Sequence, residues 1–309
     1  MSTAQTPSAN PDHIRVTEIG PRDGLQGEKQ AMPTALKREL VLALDAAGLS
    51  EIEVTAFVHP AWIPNLADAE DLIREAGPLS ATRYALVPNA RGLSRAMASG
   101  IEGITTVFSA TDGHNRSNLN RTTEESLREV IEVGRLAREA GLQLRASLST
   151  VFGCPYDPTP TVAHILGLAE RLQAAGYSRI GLCDTIGVAN PRQVGELVRA
   201  FRQAFPDLDL DLHFHNTYGR GLANVVAGLE AGATSFDSSI GGLGGCPYAP
   251  GATGNISTED LVAMLHAMGL HTGVDEAALF EATRIVADWR GKEPESQCWR
   301  AARSERRAA

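Results

Sequence analysis

The stretch Arg179–His215, RIGLCDTIGVANPRQVGELVRAFRQAFPDLDLDLHFH, decides the fold. It opens on a short apolar run, RIGLC, of strand length. Pro191–Ala204 follows, a helical pattern begun by a proline at a first-turn position. The stretch closes on a second strand-like run, DLDLHFH, from Asp209. Strand, helix, strand is the repeating unit of a parallel α/β sheet. The rhythm extends in both directions. Further strand-like runs start near Ile14 (IRVTEI), Glu51 (EIEVTAF), Arg83 (RYALV), Gly103 (GITTVF), Leu142 (LQLRASL) and Thr234 (TSFDSSI), which with the two above makes eight. Helical patterns lie between them. Pro33–Ala47 repeats leucine at Leu36, Leu40 and Leu44, and Thr122–Ala140 opens on TTEE, an N-cap with first-turn acids. Ala47-Gly48, Ala140-Gly141, Ala175-Gly176 and Ala231-Gly232 read as left-handed helix ends before the next strand. Eight such units predict an α/β protein of the (β/α)8 TIM-barrel type, since an open doubly wound sheet has fewer strands. Thr258–Met268 and Glu276–Asp288 read as the last barrel helix and an additional C-terminal helix. The expected organisation is a polar, disordered leader over 1–12, one barrel domain over 13–290, and a flexible, solvated tail over 291–309.

Size and composition agree with one soluble barrel. The chain has 309 residues, 43% of them hydrophobic, and a core of that size needs neither disulfide nor structural metal. The net charge of -9 argues against nucleic-acid or anionic-membrane partners. No apolar run approaches the ~20 residues of a membrane span. The four cysteines, Cys154, Cys183, Cys246 and Cys298, have no CxxC or zinc-finger spacing. They predict free thiols in a reducing compartment, the cytoplasm.

In a barrel, reactive groups gather at the C-terminal ends of the strands, and the unusual polar residues fall there. Arg22 and Asp23 follow the first strand, Glu53 lies in the second, Asp184 follows the sixth, His213 and His215 end the seventh, and glycine-rich Gly241–Asn255 follows the eighth. His213 and His215 are two apart on one strand and point the same way. Two imidazoles beside oxygen ligands suit a divalent ion, with Mg or Mn favoured by the oxygens. In isolation the pair also fits core or capping histidines. Arg22-Asp23 joins a fixed cation to a carboxylate on a Gly/Pro turn. The cation suits a developing enolate oxygen and the carboxylate a metal or a proton; a structural ion pair is the alternative. GGLGGCPY, from Gly241, reads as a mobile loop carrying a thiol, Cys246, able to act as acid, base or nucleophile. The alternative is a phosphate-cradling loop with an incidental cysteine, although neither the P-loop nor the GxGxxG pattern is present. Cys154 and Cys183 read as structural. His59, His164, His266 and His271 read as surface or packing residues.

With these segments assembled, the chain resembles the hydroxymethylglutaryl-CoA lyase family of metal-dependent barrel lyases, from about Val16 to Val274. The resemblance rests on EIGPRDGLQGEK (Glu18–Lys29), Ile52–Asp68 with its PAWIPNLAD, FGCPY (Phe152–Tyr156), DTIGV (Asp184–Val188), HFHNTYG (His213–Gly219) and Gly242–Leu261. It implies metal ligation by Asp23, His213, His215 and Asn255. It implies that Arg22 neutralises an enolate oxygen, that Glu53 holds Arg22 or the metal surroundings, and that Cys246 is a loop-borne acid/base. Asp184 would contact the substrate or the groups behind the metal. Gln26 and His114 would line the substrate site, with Lys29 a phosphate partner for CoA. The implied reaction is metal-dependent cleavage of 3-hydroxy-3-methylglutaryl-CoA to acetyl-CoA and acetoacetate, a step of leucine breakdown, by a homodimer acting on an acyl-CoA. The chain departs from the family pattern at Ser109–Arg116 (SATDGHNR), where the family has Ser-Ala-Ser-Glu and an aromatic. Asn216, Arg220 and His59 also differ. An added His114 and Arg116 are expected to reshape the acid's pocket. A different 3-hydroxyacyl-CoA such as citramalyl-CoA is therefore one alternative, and a catalytically silent metal- or CoA-binding protein is another.

Overall fold

The computed structural model describes residues 13–245 and 254–308. Eight parallel strands, β1 (Arg15–Glu18), β2 (Glu51–Ala56), β3 (Thr82–Leu86), β4 (Gly103–Ser109), β5 (Gln143–Ser149), β6 (Arg179–Asp184), β7 (Asp209–Phe214) and β8 (Ser235–Ser238), pair in chain order and close as β8 meets β1. The TIM barrel expected from the alternation is thus present. The closing seam runs from Arg15 opposite Ser235 to Glu18 opposite Ser238. One irregularity in register, between Glu53 and Thr55 of β2, lies beside a residue of the site.

Helices α1 (Thr34–Ala46), α2 (Ala69–Ala76), α3 (Ala90–Ser99), α4 (Asp112–Leu119), α5 (Thr123–Glu139), α6 (Val162–Ala174), α7 (Pro191–Ala204), α8 (Gly221–Glu230) and α9 (Thr258–Ala267) follow the strands. Their ends form as the local chemistry dictates. At α5, the Thr122 side chain accepts from Glu125 N at 3.2 Å, and the Glu125 carboxylate accepts from Thr122 N at 2.8 Å, a reciprocal cap. Gly48 ends α1 with φ at +88°, and a Cβ there would lie 2.5 Å from the Gly273 carbonyl, so no side chain fits. The hydrophobic core includes Leu40 and Leu44 of α1, Ile52 and Val54 of β2, and Val194, Val198 and Phe201 of α7. Arg179 of β6 reaches Glu51 of β2 and Thr17 of β1. Contacts between strands so far apart in the order cross the barrel lumen, whose interior is therefore polar.

Two helices extend the barrel, α10 (Glu276–Arg290) and α11 (Gln297–Ala308). The second lies where the sequence suggested a flexible tail. Asp260, in the first turn of α9, accounts for its start. Its Oδ1 accepts from Ser296 Oγ and Cys298 N, both at 2.8 Å, and its Oδ2 from Gln297 N at 3.0 Å. Trp299 packs against Phe280 of α10, ring centres 6.1 Å apart. The expected leader, 1–12, and Cys246 lie outside the described residues.

Candidate active site

Arg22 and Asp23 sit in one wide helical turn, Gly20–Gly24, directly after β1. Its hydrogen bonds converge on one carbonyl, with Asp23 N and Gly24 N reaching Ile19 O at 2.7 and 3.5 Å. Such π-type turns recur at functional sites. The turn is pinned from below by Glu18, whose carboxyl group accepts from Gly20 N (2.7 Å), Ile240 N (2.9 Å) and Thr258 Oγ1 (2.6 Å). Burial pushes the Glu18 carboxyl up to about 8, against the pull of those three donors. Gly20 leaves no room for a side chain, since its Cβ would fall 2.6 Å from Glu18 Oε1.

Arg22 is clamped on two sides. Its Nε donates to Glu53 Oε1, and its Nη1 lies 2.5 Å from Asp23 Oδ1. Glu53 therefore holds Arg22, one of the two roles suggested for it. The β2 strand that carries Glu53 neighbours β1, so the clamp follows from barrel order.

Asp23, His213 and His215 place potential ligand atoms within 4.8 Å of one another. His213 and His215 leave β7 on the same side, ring centres 5.2 Å apart. His213 Nδ1 lies 3.3 Å from Asp237 Oδ2 on the neighbouring strand. Burial, then the nearby His213, depress His215 to about 3, so it is neutral at physiological pH. Burial opposes charge on Asp23, but Arg22, the two histidines and Asn255 outweigh it and hold the carboxyl at about 2. Asn255 donates through Nδ2 to Asp23 Oδ2 (2.9 Å) and Leu243 O (3.1 Å). His215 Nδ1 and Asn255 Oδ1 are buried with no hydrogen-bond partner among the described residues. Buried polar atoms are rarely left so. Two orphaned polar atoms beside an ionised carboxylate and a second imidazole fit a divalent cation, which Asp23, His213, His215 and Asn255 would hold.

These groups open on a cavity of about 470 Å³ at the C-terminal mouth. Of the residues singled out from sequence, Arg22, Asp23, Glu53, Gln26, His114, His213 and His215 all line it. Gln26 Nε2 reaches Asp23 Oδ1 at 3.4 Å. His114 is buried in α4, with Nδ1 2.5 Å from Ser109 Oγ, and burial lowers its pKa. Gly245, the residue before Cys246, is also on the wall.

Two of the expected residues, Asp184 and Lys29, lie off the cavity wall. Asp184 does not face the cavity. Its two oxygens accept Val188 N (2.9 Å) and Ala189 N (3.1 Å) and so shape the turn after β6. Burial raises this carboxyl to about 6. Lys29 is exposed and not part of the wall. The Ser109–Arg116 segment includes the start of α4, organised by Asn115, which grips Ser109 N and O, and by Asp112, which accepts Thr123 N at 2.8 Å. Arg116 turns to solvent and pairs with Asp112 at 3.2 Å, leaving His114 as the altered residue that reaches the cavity. Sequence reading missed Arg145, Asp237, Ser147 and Trp62 on the wall. A charged residue inside the strand-like run LQLRASL was the available signal for Arg145.

Chemistry on the C-terminal rim is the rule for closed (β/α)8 barrels, and this chain is a TIM-barrel enzyme of that kind whose rim is competent for a divalent cation. Comparison with known proteins narrows the class. The HMGL-like family model matches residues 13–286, and the chain belongs to that family. It is 45% identical over 283 residues to a hydroxymethylglutaryl-CoA lyase of Bacillus subtilis, covering 91% of this chain and 95% of that one. A crystal structure of the Bacillus subtilis HMG-CoA lyase superposes with a TM-score of 0.93 at 44% identity, over 95% of this chain and 99% of that one. An HMG-CoA lyase from Acinetobacter baumannii, solved with coenzyme A and 3-methylmalate, matches with a TM-score of 0.89 at 38% identity, over 95% and 96%.

Proposed function

We propose that this chain cleaves 3-hydroxy-3-methylglutaryl-CoA to acetyl-CoA and acetoacetate. The observation that carries the proposal is the convergence of Arg22, Asp23, His213 and His215 on one cavity mouth, with Asn255 bonded to Asp23, in a member of the HMGL-like family. A bound Mg or Mn ion would supply Lewis acidity toward the substrate's oxygens. The base that takes the hydroxyl proton is assigned as Asp23 or a water bound at the site. The C2–C3 bond then breaks. Its electron pair moves onto the thioester, giving the acetyl-CoA enolate, while C3 becomes the ketone of acetoacetate. Arg22, fixed by Glu53 and Asp23, faces the enolate oxygen, where a preoriented cation lowers the barrier. Cys246 is assigned as the acid that protonates C2, which the position of Gly245 on the wall supports. Gln26 and His114 are assigned to the acyl group.

A second reading keeps the bond cleavage and changes the acid, because buried His114 puts a polar ring into the cavity. Citramalyl-CoA is the substrate to compare. The test is a panel of CoA thioesters assayed after dialysis against chelator and again after Mg or Mn is restored. The proposal expects hydroxymethylglutaryl-CoA to be turned over best, only with metal. Better turnover of citramalyl-CoA favours the second reading. No metal-dependent turnover of any thioester favours a silent binding protein. The free thiols Cys154, Cys183 and Cys298 support a reducing compartment such as the cytoplasm, and no helix among the described residues is long and apolar enough to cross a membrane. Family resemblance supports a homodimer, which light scattering would test.

A further inference from the structure

Barrel interiors are filled mostly by branched apolar side chains, yet this one contains a connected chain of charges. It starts beneath the candidate metal site at Asp237 of β8, 3.3 Å from His213 Nδ1. Arg145 of β5 is 1% exposed and donates through Nη2 to both oxygens of Asp237. Its Nε lies 2.8 Å from Asp211 Oδ2 on β7. Arg179 of β6 donates to that same oxygen at 2.6 Å and continues to Glu51 of β2 at 2.7 Å. Ser235 of β8 donates to the other Asp211 oxygen at 2.6 Å. Residues from five strands thus lie in one network that ends at a proposed metal ligand.

Stability is a poor explanation for this arrangement. Buried ion pairs seldom stabilise a fold more than apolar side chains of equal volume would, because each ion must leave water. What the network secures is geometry. With both oxygens on one guanidinium, Asp237 cannot rotate. It holds His213 by Nδ1 and leaves Nε2 as the ring's ligand atom. Asp211 fixes Arg145 in turn. Asp211 itself does not reach the cavity wall.

We propose that Arg145 and Asp211 are positioning residues for the metal site, acting through Asp237 on the orientation of His213. The proposal rests on the reading of Asp23, His213, His215 and Asn255 as metal ligands. Its test is titration of the chelator-treated full chain with Mn²⁺, followed by the spin resonance of free Mn²⁺, with the Tm of the metal-free protein measured alongside. Arg145→Lys keeps the charge, but one ammonium cannot replace the fork that joins Asp211 to Asp237. It is expected to weaken Mn²⁺ binding about 10-fold or more. In an Asp237→Ala background the same change is expected to add nothing, because the link is already cut. A lowered Tm with Mn²⁺ affinity unchanged within about twofold would mean a structural role only and overturn the proposal. An equal loss in both backgrounds would also overturn it. If Arg145→Lys does not fold, Asp211→Asn is scored in the same titration, where unchanged affinity again counts against the proposal. A wild-type chain that binds no Mn²⁺ removes the metal reading and this inference with it, whereas failure of the variants alone leaves the metal reading standing.

Discussion

At the scale of single residues, the site is built from groups whose charge state is decided by their neighbours. Asp23 stays ionised although buried, because Arg22 and two imidazoles outweigh the burial. His215 stays neutral because burial and His213 both oppose its proton, and a neutral ring is the form that binds metal. Arg22 has a geometrically demanding position, with Glu53 on Nε and Asp23 on Nη1. Lysine has the charge without the planar fork and cannot make both contacts in the same orientation. Arg22→Lys is therefore expected to lower kcat on the preferred acyl-CoA by about 10²–10³-fold, the usual cost of removing one transition-state donor. Metal affinity should hardly change, since Arg22 is not a proposed ligand. Steady-state kinetics beside Mn²⁺ titration separates the two, and retained turnover would remove Arg22 from the enolate role.

At the scale of elements, helix ends explain how polar loops stay in place above the barrel. The cap at Thr122 starts α5 directly after α4, the helix that carries His114. Thr122→Ala removes the side-chain acceptor for Glu125 N and is expected to cost about 1 kcal/mol in urea unfolding. The substitution leaves the cavity wall intact, so kcat should be unchanged. A loss of activity without loss of stability would show that this cap also sets the position of His114. The turn Gly20–Gly24 is legible in sequence as a Gly/Pro break. Its i→i+5 form is not, because the Glu18 carboxyl group that pins it is itself held by Ile240 and Thr258 from remote parts of the chain.

For the molecule as a whole, the barrel closes where β1 meets β8, and Glu18 sits at that seam. Its carboxyl is pushed up to about 8 from a normal value of 4.5, chiefly by burial. Below pH 4.5 the group is protonated whether the chain is folded or not. As pH rises past 4.5, ionisation favours the unfolded chain, and the stabilising contribution of the buried neutral acid is lost by the time pH passes about 8. Glu18→Gln has no such slope. Thermal unfolding between pH 5 and 8 should show wild-type Tm falling relative to the variant, and parallel curves would disprove the assignment.

The sequence by itself determined the eight strand–helix units, the helix ends and the gathering of Arg22, Asp23, Glu53, His213 and His215 at one rim. Each of these follows from short-range chemistry: apolar periodicity, capping, and the rule that successive strand residues alternate in direction. Tertiary structure alone decided which polar groups face the cavity. Asp184 and Asp23 are both acids at strand ends, yet Asp184 is bound by the backbone of its own turn and Asp23 meets β7 across the mouth. Arg116 and His114 are neighbours in α4, yet only His114 reaches the wall. The chain of Arg145, Asp211 and Asp237 joins strands 92 residues apart. Closing the barrel brings these side chains into one lumen, where, away from water, each charge must find its partner in another strand.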